Sequence, residues 1–258
     1  MSSILFEQKN NVAIVTLNRP EKFNSFNREM ALLLQNILDK CETNENIRCV
    51  LLTGASKAFC AGQDIAELVG ENAIGLDKIL SEHYNPIVTK IRNLNKPVIA
   101  AVNGVAAGAG ANIALCCDIV LASSAASFIQ AFSKIGLIPD SAGTYFLPRL
   151  IGFQKASALM MTGDKLSATD AEKIGLVYKI IGEENFIEEC FKQADTLAQM
   201  PTQGLALTKQ ALNISLNNTW QNQLQVEDSL QQKAALTKDY AEGISAFLEK
   251  RKAVFVGK

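Results

Sequence analysis

The sequence predicts an α/β fold in which short strands alternate with helices, followed by a helical region at the C-terminus. Apolar runs rich in β-branched residues recur between residues 12 and 122, as in strands that are buried on both faces of a sheet. Segments with apolar residues at helical spacing separate them. After about Gly152, helix-like segments follow one another without a low-complexity linker. We therefore expect an α/β core over residues 1–200 and a helical C-terminal region over residues 201–258.

The predicted core begins with a strand and a helix. Val12–Leu17 is typical of a strand and ends at the turn residues Asn18-Arg19-Pro20. Asn27 is a candidate cap for the helix that follows. The apolar side chains of that helix recur at spacings of three and four, at Met30, Leu33, Leu34, Ile37 and Leu38. Further apolar runs predict strands at Cys49–Thr53, Pro97–Val102 and Cys117–Ala122.

The second half of the chain is predicted to be mainly helical. Periodic segments occur at Lys155–Met161, Ala168–Ile174, Glu184–Met200, Thr202–Asn213 and, with breaks, Trp220–Leu248. No internal repeat is evident from the sequence, although repeated βα units with short strands are compatible with a spiral of turns.

Composition excludes several classes of function. The 25 Lys and Arg residues nearly balance 26 Asp and Glu residues, and no basic block is present, which argues against a nucleic-acid-binding protein. No stretch approaches the roughly 20 uninterrupted apolar residues of a membrane span. The first residues, Met1–Glu7, lack the basic start and apolar stretch of a signal peptide. We therefore expect a cytoplasmic protein that is independent of membranes.

Cysteine and histidine usage narrows the chemistry further. The six cysteines show no CxxC spacing and most lie in apolar surroundings, so we expect buried, reduced thiols. His83 is the only histidine, which argues against a metal site and against Ser-His-Asp or Cys-His catalysis. Its helical surroundings carry no nucleophile motif, and we expect a surface or groove side chain.

Asp140 is the carboxylate best suited to proton transfer. Between Pro97 and Pro148 the only other charged side chains are Asp118 and Lys134. An apolar setting raises the pKa of a carboxyl group toward neutrality, as a general base requires. The alternative is structural, because Pro139-Asp140-Ser141 also resembles a turn and a helix N-cap.

Two glycine-rich turns follow predicted strands, at Phe59–Ile65 and Asn103–Ala111. Small residues allow a ligand to approach the backbone, and a helix N-terminus presents unpaired N–H groups. One amide from each turn could bind a developing oxyanion. The alternative is that both turns only allow close packing of helices on the sheet. The sequence GAGANI in the second turn lacks the third glycine of a dinucleotide fingerprint, and no GK[ST] phosphate loop is present.

Four segments of the chain resemble the crotonase, or enoyl-CoA hydratase/isomerase, superfamily, and the resemblance extends in order along essentially the whole chain. They are FCAGQDI (Phe59–Ile65), KPVIAAVNGVAAGAGANIAL (Lys96–Leu115), AFSKIGLIPDSAGTYFLPR (Ala131–Arg149) and AFLEKR (Ala246–Arg251). The resemblance implies a spiral of ββα turns followed by a helical trimerisation region, assembled as homotrimers or homohexamers. It also implies an acyl-CoA substrate, with CoA as part of the substrate and no separate cofactor or metal.

The resemblance also implies which residues form the site. It assigns the oxyanion-hole amides to Gln63 and Ala109, and the acid–base role of family isomerases to Asp140. Acyl-CoA is implied to bind around Lys22, Phe23, Ser25, Ala61, Gln63, Asp64, Ile65 and Gly108, with Phe247 and Lys250 near the CoA of the same or a neighbouring subunit. Family members usually have Asn-Ala-Leu where this chain has Asn24-Ser25-Phe26, so the assignment of Ser25 departs from the pattern.

One departure from the family pattern indicates the reaction class. Enoyl-CoA hydratases carry two glutamates at the positions that match Asn112 and Phe132. Neither an amide nor a phenyl ring can exchange protons with water, so efficient hydration should be lost. Isomerisation needs a single base that removes a proton beside the thioester carbonyl and returns it two carbons further on.

We therefore expect an acyl-CoA isomerase that shifts a double bond or rearranges a ring epoxide. The alternatives are an enoyl-CoA hydratase or dienoyl-CoA isomerase, and a non-catalytic acyl-CoA-binding subunit. The remaining carboxylates have structural interpretations: Asp64 should bind local amides, Asp118 should pair or cap, and Glu67 should lie on a solvated helix face. The acyl group is left open, because it depends on the stretch Glu67–Tyr84, which the sequence does not place.

Overall fold

The computed structural model describes residues 2–69 and 73–258, and within them ten strands form two sheets. The strands are β1 (Ile4–Lys9), β2 (Val12–Leu17), β3 (Cys49–Gly54), β4 (Ala58–Cys60), β5 (Val98–Val102), β6 (Val105–Ala107), β7 (Ile119–Ser123), β8 (Ser127–Ile129), β9 (Lys165–Ser167) and β10 (Lys179–Ile181).

From β3 to β8, consecutive strands alternate between the two sheets. The larger sheet has the order β1-β2-β3-β5-β7-β10 and is parallel except at β1, while the smaller sheet has the order β4-β6-β8-β9 with β9 antiparallel. The pairs β3–β4, β5–β6 and β7–β8 each place one strand in each sheet before the chain enters helical structure. This is the spiral of ββα turns that the family resemblance implied.

The helices complete these turns and form the C-terminal region. They are α1 (Arg28–Thr43), α2 (Leu76–Lys78), α3 (Asn85–Asn93), α4 (Ala109–Leu115), α5 (Gly143–Ile151), α6 (Phe153–Thr162), α7 (Ala168–Lys173), α8 (Phe186–Ala198), α9 (Thr202–Ser215), α10 (Trp220–Ala235) and α11 (Lys238–Glu249). A π-helix, Ile79–Tyr84, joins α2 to α3, and 3-10 helices lie at Pro20–Lys22, Ile65–Leu68, Ala131–Ile135 and Glu183–Asn185. The stretch Glu67–Tyr84 includes residues 70–72, which lie outside the described residues.

Most of the predicted elements are confirmed, and the differences concern strands, because neither the six-residue strand β1 nor the three-residue strands were predicted. Asn27 caps α1 by accepting a hydrogen bond from the Met30 amide. The predicted helices after Gly152 correspond to α6 to α11, but β9 and β10 lie among them. β10 and all four strands of the smaller sheet have three residues each, which is too short to show a periodic pattern.

Both faces of the larger sheet are buried at its central strands β3 and β5, as the continuous apolar runs predicted. Along β3, Val50 and Leu52 face the main core, whereas Cys49 and Leu51 face a second cluster beneath α8. That second cluster includes Phe186, Cys190 and Ala194 of α8.

Two predictions about single residue types have opposite outcomes. All six cysteines are free and buried, as expected. The prediction that His83 is a surface or groove side chain is wrong. His83 belongs to the π-helix, its side chain is fully buried, and its Nε2 lies 3.2 Å from the Arg28 guanidinium. Helical periodicity alone did not reveal that this helix is packed on the side that carries His83.

The C-terminal helices are tied to the sheet by a buried ion pair. Lys209 of α9 donates to Asp118 at 2.8 Å and to the carbonyl of Ile91 at 2.7 Å. Arg92 also contacts Asp118, and Asp118 accepts from the Val98 amide of β5. The predicted structural role of Asp118 is therefore confirmed. None of the described helices is long and apolar enough to cross a membrane.

Candidate active site

A cavity of about 190 Å³ lies between the two glycine-rich turns and the segment around Asp140. Most of its lining is apolar or backbone, and Asp140 is the carboxylate at its wall. The lining residues are Ala61, Gly62, Gln63, Ile65, Leu68, Leu76, Ile79, Tyr84, Gly108, Ala109, Ala131, Phe132, Ile135, Leu137 and Asp140.

The smaller sheet brings the two turns together. β4 and β6 are neighbouring parallel strands, so the chain leaves both at the same edge of the sheet. Gly62 has a φ of +92°, and a Cβ placed there would lie 3.0 Å from the Ala107 carbonyl oxygen and 3.4 Å from the Ala109 nitrogen. The first turn therefore approaches the start of α4 at a distance that favours glycine.

Each turn presents one backbone N–H group without an acceptor among the described residues. The Gly62 carbonyl and the Asp64 amide both bond to Phe26, so the Gln63 amide between them points away from Phe26. Ala109 is the first residue of α4 and has no intrahelical acceptor. Both residues line the cavity, and their N–H groups are the candidate hydrogen-bond donors there.

Asp140 is partly buried, and its carboxyl group does not cap a helix. The N-cap of α5 is Ala142, which supplies no side-chain hydrogen bond, so the alternative N-cap interpretation is wrong. Burial raises the pKa of the Asp140 carboxyl group, while a 2.8 Å hydrogen bond donated by Ser141 Oγ acts in the opposite direction. The net effect is a raised pKa in a carboxylate that lines the cavity.

The side chain of Gln63 is held at both ends. Its Oε1 accepts a 2.9 Å hydrogen bond from the Tyr84 hydroxyl, and its Nε2 donates to Glu67 at 3.0 Å. Glu67 also accepts from the Arg28 amide at the start of α1. The prediction that Glu67 lies on a solvated face is therefore wrong, because its carboxylate connects α1 to the first turn.

Tyr84 is a cavity residue that was not predicted from the sequence. Its side chain is fully buried, lines the cavity, and burial raises its pKa well above the ordinary value. It lies at the end of the π-helix, in the stretch that the sequence did not place. An aromatic residue at a helical position resembles ordinary core, so no sequence signal distinguished it.

The residues predicted around CoA divide into two groups. Ala61, Gln63, Ile65 and Gly108 line the cavity together with Ala109 and Asp140. Lys22, Phe23, Ser25 and Asp64 do not line it but lie beside its first turn: the Ala61 amide donates to the Phe23 carbonyl, and Arg19 bridges the Ser25 carbonyl and Asp64.

Asp64 has a structural role, as predicted. It accepts from the Ala66 amide at 3.2 Å and pairs with Arg19 at 2.8 Å. Burial opposes its ionisation, but the hydrogen bond from Arg19 prevails and holds the pKa of Asp64 below its usual value.

Phe247 and Lys250 lie away from this cavity. Phe247 is 81% exposed on α11, and Lys250 follows as the C-cap of that helix with a φ of +53°. Within residues 2–69 and 73–258 neither residue is part of the cavity lining. The single chain therefore does not bring them to the site.

The positions of the two absent glutamates differ in their environment. Phe132 is buried and lines the cavity, so this side of the site is apolar. Asn112 is also buried, but among the described residues it is not part of the lining, and its amide donates to the Asp140 carbonyl at 2.9 Å.

The arrangement combines two N–H donors with one carboxylate of raised pKa in a largely apolar cavity. Two aligned donors stabilise negative charge on a carbonyl oxygen, and a carboxylate of this kind can remove and return a proton. Reactions that pass through an enolate require these two kinds of group.

Comparisons with known proteins agree with this chemistry. A family model described as enoyl-CoA hydratase/isomerase matches residues 7–258. Over 261 aligned residues, which cover both chains completely, the sequence is 46% identical to the 1,2-epoxyphenylacetyl-CoA isomerase of Escherichia coli (strain K12). It is 38% identical to a protein named "Probable enoyl-CoA hydratase" of Rhodobacter capsulatus, with 99% of this chain and 98% of the relative covered.

The fold is also similar to that of solved structures. The crystal structure of an enoyl-CoA hydratase from Bacillus anthracis superposes with a TM-score of 0.92 at 33% sequence identity. The match covers 99% of this chain and 100% of that chain.

Proposed function

Because the chain belongs to the enoyl-CoA hydratase/isomerase family, we propose that it is an acyl-CoA isomerase that works through a thioester enolate and needs no cofactor. The observation that carries the proposal is that Asp140 is the one carboxylate that lines the cavity among residues 2–69 and 73–258, together with two residues whose N–H groups lack acceptors in the same ranges. CoA is part of the substrate.

The amides of Gln63 and Ala109 are the proposed oxyanion hole. They would donate to the thioester oxygen and gain strength as negative charge develops on it. Each donor of this type contributes about 10²–10³ in rate in enzymes where one has been removed. Their support is geometric: both belong to residues that line the cavity, and the turns that carry them approach each other closely.

Asp140 is the proposed base and acid in turn. For a 3-enoyl thioester, its carboxylate takes a proton from carbon 2, and the electron pair moves onto the thioester oxygen. The carboxylic acid then returns the proton to carbon 4, so that the double bond lies between carbons 2 and 3. The raised pKa of Asp140 suits both steps, because the group must accept and release a proton near neutral pH.

The proposed natural substrate is a ring epoxide, 1,2-epoxyphenylacetyl-CoA, converted to an oxepin-CoA. The support is the 46% identity to a relative that carries this name and the apolar cavity lined by Tyr84 and Phe132. Hydration and dienoyl-CoA isomerisation are the alternatives, favoured by relatives named as hydratases. Phe132 and Asn112 argue against hydration, since neither can exchange protons with water.

CoA is proposed to bind along the Lys22–Ser25 turn and Ala61, Asp64, Ile65 and Gly108. Phe247 and Lys250 would approach it from a neighbouring subunit, because in the single chain they are exposed and away from the cavity. A homotrimer or homohexamer is the proposed assembly. Large apolar side chains exposed on the C-terminal region support it: Trp220, Leu236, Phe247 and Leu248 are 71–88% exposed.

The test compares two reactions of the wild-type protein. The rise in ultraviolet absorbance as 3-hexenoyl-CoA becomes the conjugated 2-enoyl form measures isomerisation, and its fall with crotonyl-CoA measures hydration. We expect turnover of 3-hexenoyl-CoA and little hydration. Hydration of crotonyl-CoA at rates typical of hydratases, with no isomerisation, would instead support the alternative function.

A further inference from the structure

Asn112 occupies the position of a hydratase glutamate, but its side chain is directed to the backbone that carries Asp140. Asn112 is 1% exposed. Its Nδ2 donates to the Asp140 carbonyl at 2.9 Å, and its Oδ1 accepts from Gln130 Nε2 at 2.8 Å. Gln130 is itself buried, and the Asp140 carbonyl, which can only accept, fixes which end of the Asn112 amide faces it.

The Asp140 carbonyl is fixed from two sides. Besides Asn112 it accepts from the Gly143 amide at 2.8 Å. The residues between, Ser141 and Ala142, both have positive φ angles, +51° and +59°, which non-glycine residues adopt at a cost of order 1–3 kcal/mol. Such a turn persists because its surroundings hold it in place.

Gly143 makes room for the Asn112 amide. A Cβ placed on Gly143 would lie 2.3 Å from Asn112 Nδ2, inside the distance that real atoms allow. No positive φ accounts for glycine at this position, so the close approach of Asn112 is the reason for it.

Asn112 also shares a helix with one of the proposed oxyanion donors. It lies three residues after Ala109, one turn along α4. Since a helix turn is rigid, the Asn112 hydrogen bond fixes the place of Asp140 relative to the Ala109 amide. An enolate mechanism depends on that separation, because the thioester oxygen and the carbon that loses its proton belong to the same substrate.

From these contacts we infer that Asn112 is a positioning residue, which holds the proton-transferring carboxylate of Asp140 in register with the Ala109 amide through the Asp140 carbonyl. The inference rests on the proposed function. Asn112 then does more than lack the carboxylate that a hydratase has at this position, because its amide positions Asp140.

The first test replaces Asn112 by leucine, which is close in size and cannot donate. We expect kcat for 3-hexenoyl-CoA to fall about 10–100-fold, the scale of a misplacement near 1 Å, with KM essentially unchanged. Leu34→Ala is the control: Leu34 is buried in α1 and does not line the cavity, so we expect the variant to lose stability and keep its kcat.

The second test, Asn112→Asp, has a readout that a purely structural role would not change. The new carboxyl group can still donate to the Asp140 carbonyl while it is protonated, whereas its ionised form cannot donate and repels that oxygen. The variant should therefore gain a descending alkaline limb in its pH–kcat profile that the wild type lacks, while circular dichroism shows the fold intact across the range. Because the substitution is nearly isosteric, this arm also covers the case in which the leucine variant does not fold.

Crystal structures of the wild type and Asn112→Leu give a readout that does not depend on turnover. We expect the Asp140 carboxylate to move relative to the Ala109 nitrogen; an unmoved carboxylate would overturn the inference even if the protein were not an isomerase. If Asp140→Asn abolishes isomerisation while both Asn112 variants keep the wild-type kcat and pH profile, the positioning role fails and the proposed function stands.

Discussion

The immediate surroundings of Asp140 determine its titration. Burial raises its pKa and the Ser141 hydroxyl opposes that rise. Since the proposed base must be ionised, activity should be present above the pKa of Asp140 and be lost as the pH falls through it. The acidic limb of the kcat/KM profile should accordingly lie above the ordinary range of aspartate.

Ser141→Ala should move that limb to higher pH. The variant removes the hydrogen bond that favours the carboxylate, so the pKa of Asp140 rises further and a larger fraction of enzyme is protonated at a given pH. The pH dependence of 3-hexenoyl-CoA isomerisation measures the shift. An unchanged or lowered limb would show that Asp140 is not the group that titrates.

The raised pKa also has a consequence for stability. A carboxyl group whose pKa is higher in the folded state destabilises the fold above that pKa, and the penalty disappears as the pH falls to the ordinary aspartate value of about 3.9. Asp140→Asn should therefore have a higher free energy of unfolding than the wild type at neutral pH, and this difference should shrink at acidic pH. Urea unfolding of both proteins at neutral and at acidic pH measures this difference. A lower stability of the variant at neutral pH would contradict the prediction.

Asp140 could be singled out from the sequence because charge is scarce around it, and the pattern of glycines located the two turns. The partners that hold these groups could not be found in the same way. Tyr84 and Gln130 meet the site from other elements, and Glu67 connects it to α1, through contacts between residues distant in the chain. Their residue types are as common in ordinary cores and helix faces as in active sites.

At the scale of an element, the π-helix Ile79–Tyr84 delivers the Tyr84 hydroxyl to Gln63. Tyr84→Phe removes this hydrogen bond and frees the side chain whose backbone amide is a proposed oxyanion donor. A net loss near 1 kcal/mol predicts a fall in kcat of about 5-fold. Tyr145→Phe is the control, since its hydroxyl makes a 3.4 Å contact in an exposed position. Equal effects of the two substitutions would refute a role of Tyr84 in the site.

Long buried strands could be predicted from the sequence, whereas the three-residue strands could not. Runs of five or six apolar residues identified β2, β3, β5 and β7 because burial on both faces leaves a continuous pattern. The smaller sheet consists of three-residue strands that carry no period. Its position depends on the spiral, because each turn adds one strand that pairs in parallel with the strand of the preceding turn.

At the scale of the whole molecule, the ion pair between Lys209 and Asp118 fastens the C-terminal helices to the sheet. Their side chains are 7% and 18% exposed, so Lys209→Met would leave a largely buried carboxylate with Arg92 as its one cationic partner among the residues that the structure describes. We expect the free energy of unfolding to fall by about 3 kcal/mol, as when one partner of a buried pair is removed. Urea denaturation measures it, and the exposed Lys192→Met should cause no measurable change. A similarly small effect at Lys209 would show that the pair does not fasten the helices.

In the proposed reaction one carboxylate, that of Asp140, carries the proton, and the Asp140→Asn variant removes it. Its kcat for 3-hexenoyl-CoA should fall at least about 10³-fold, by the combined weight of a general base and the enolate that it generates. Acyl-CoA should still bind with near wild-type affinity, because the two amides and the first turn are intact. Near-normal turnover by Asp140→Asn would contradict the account.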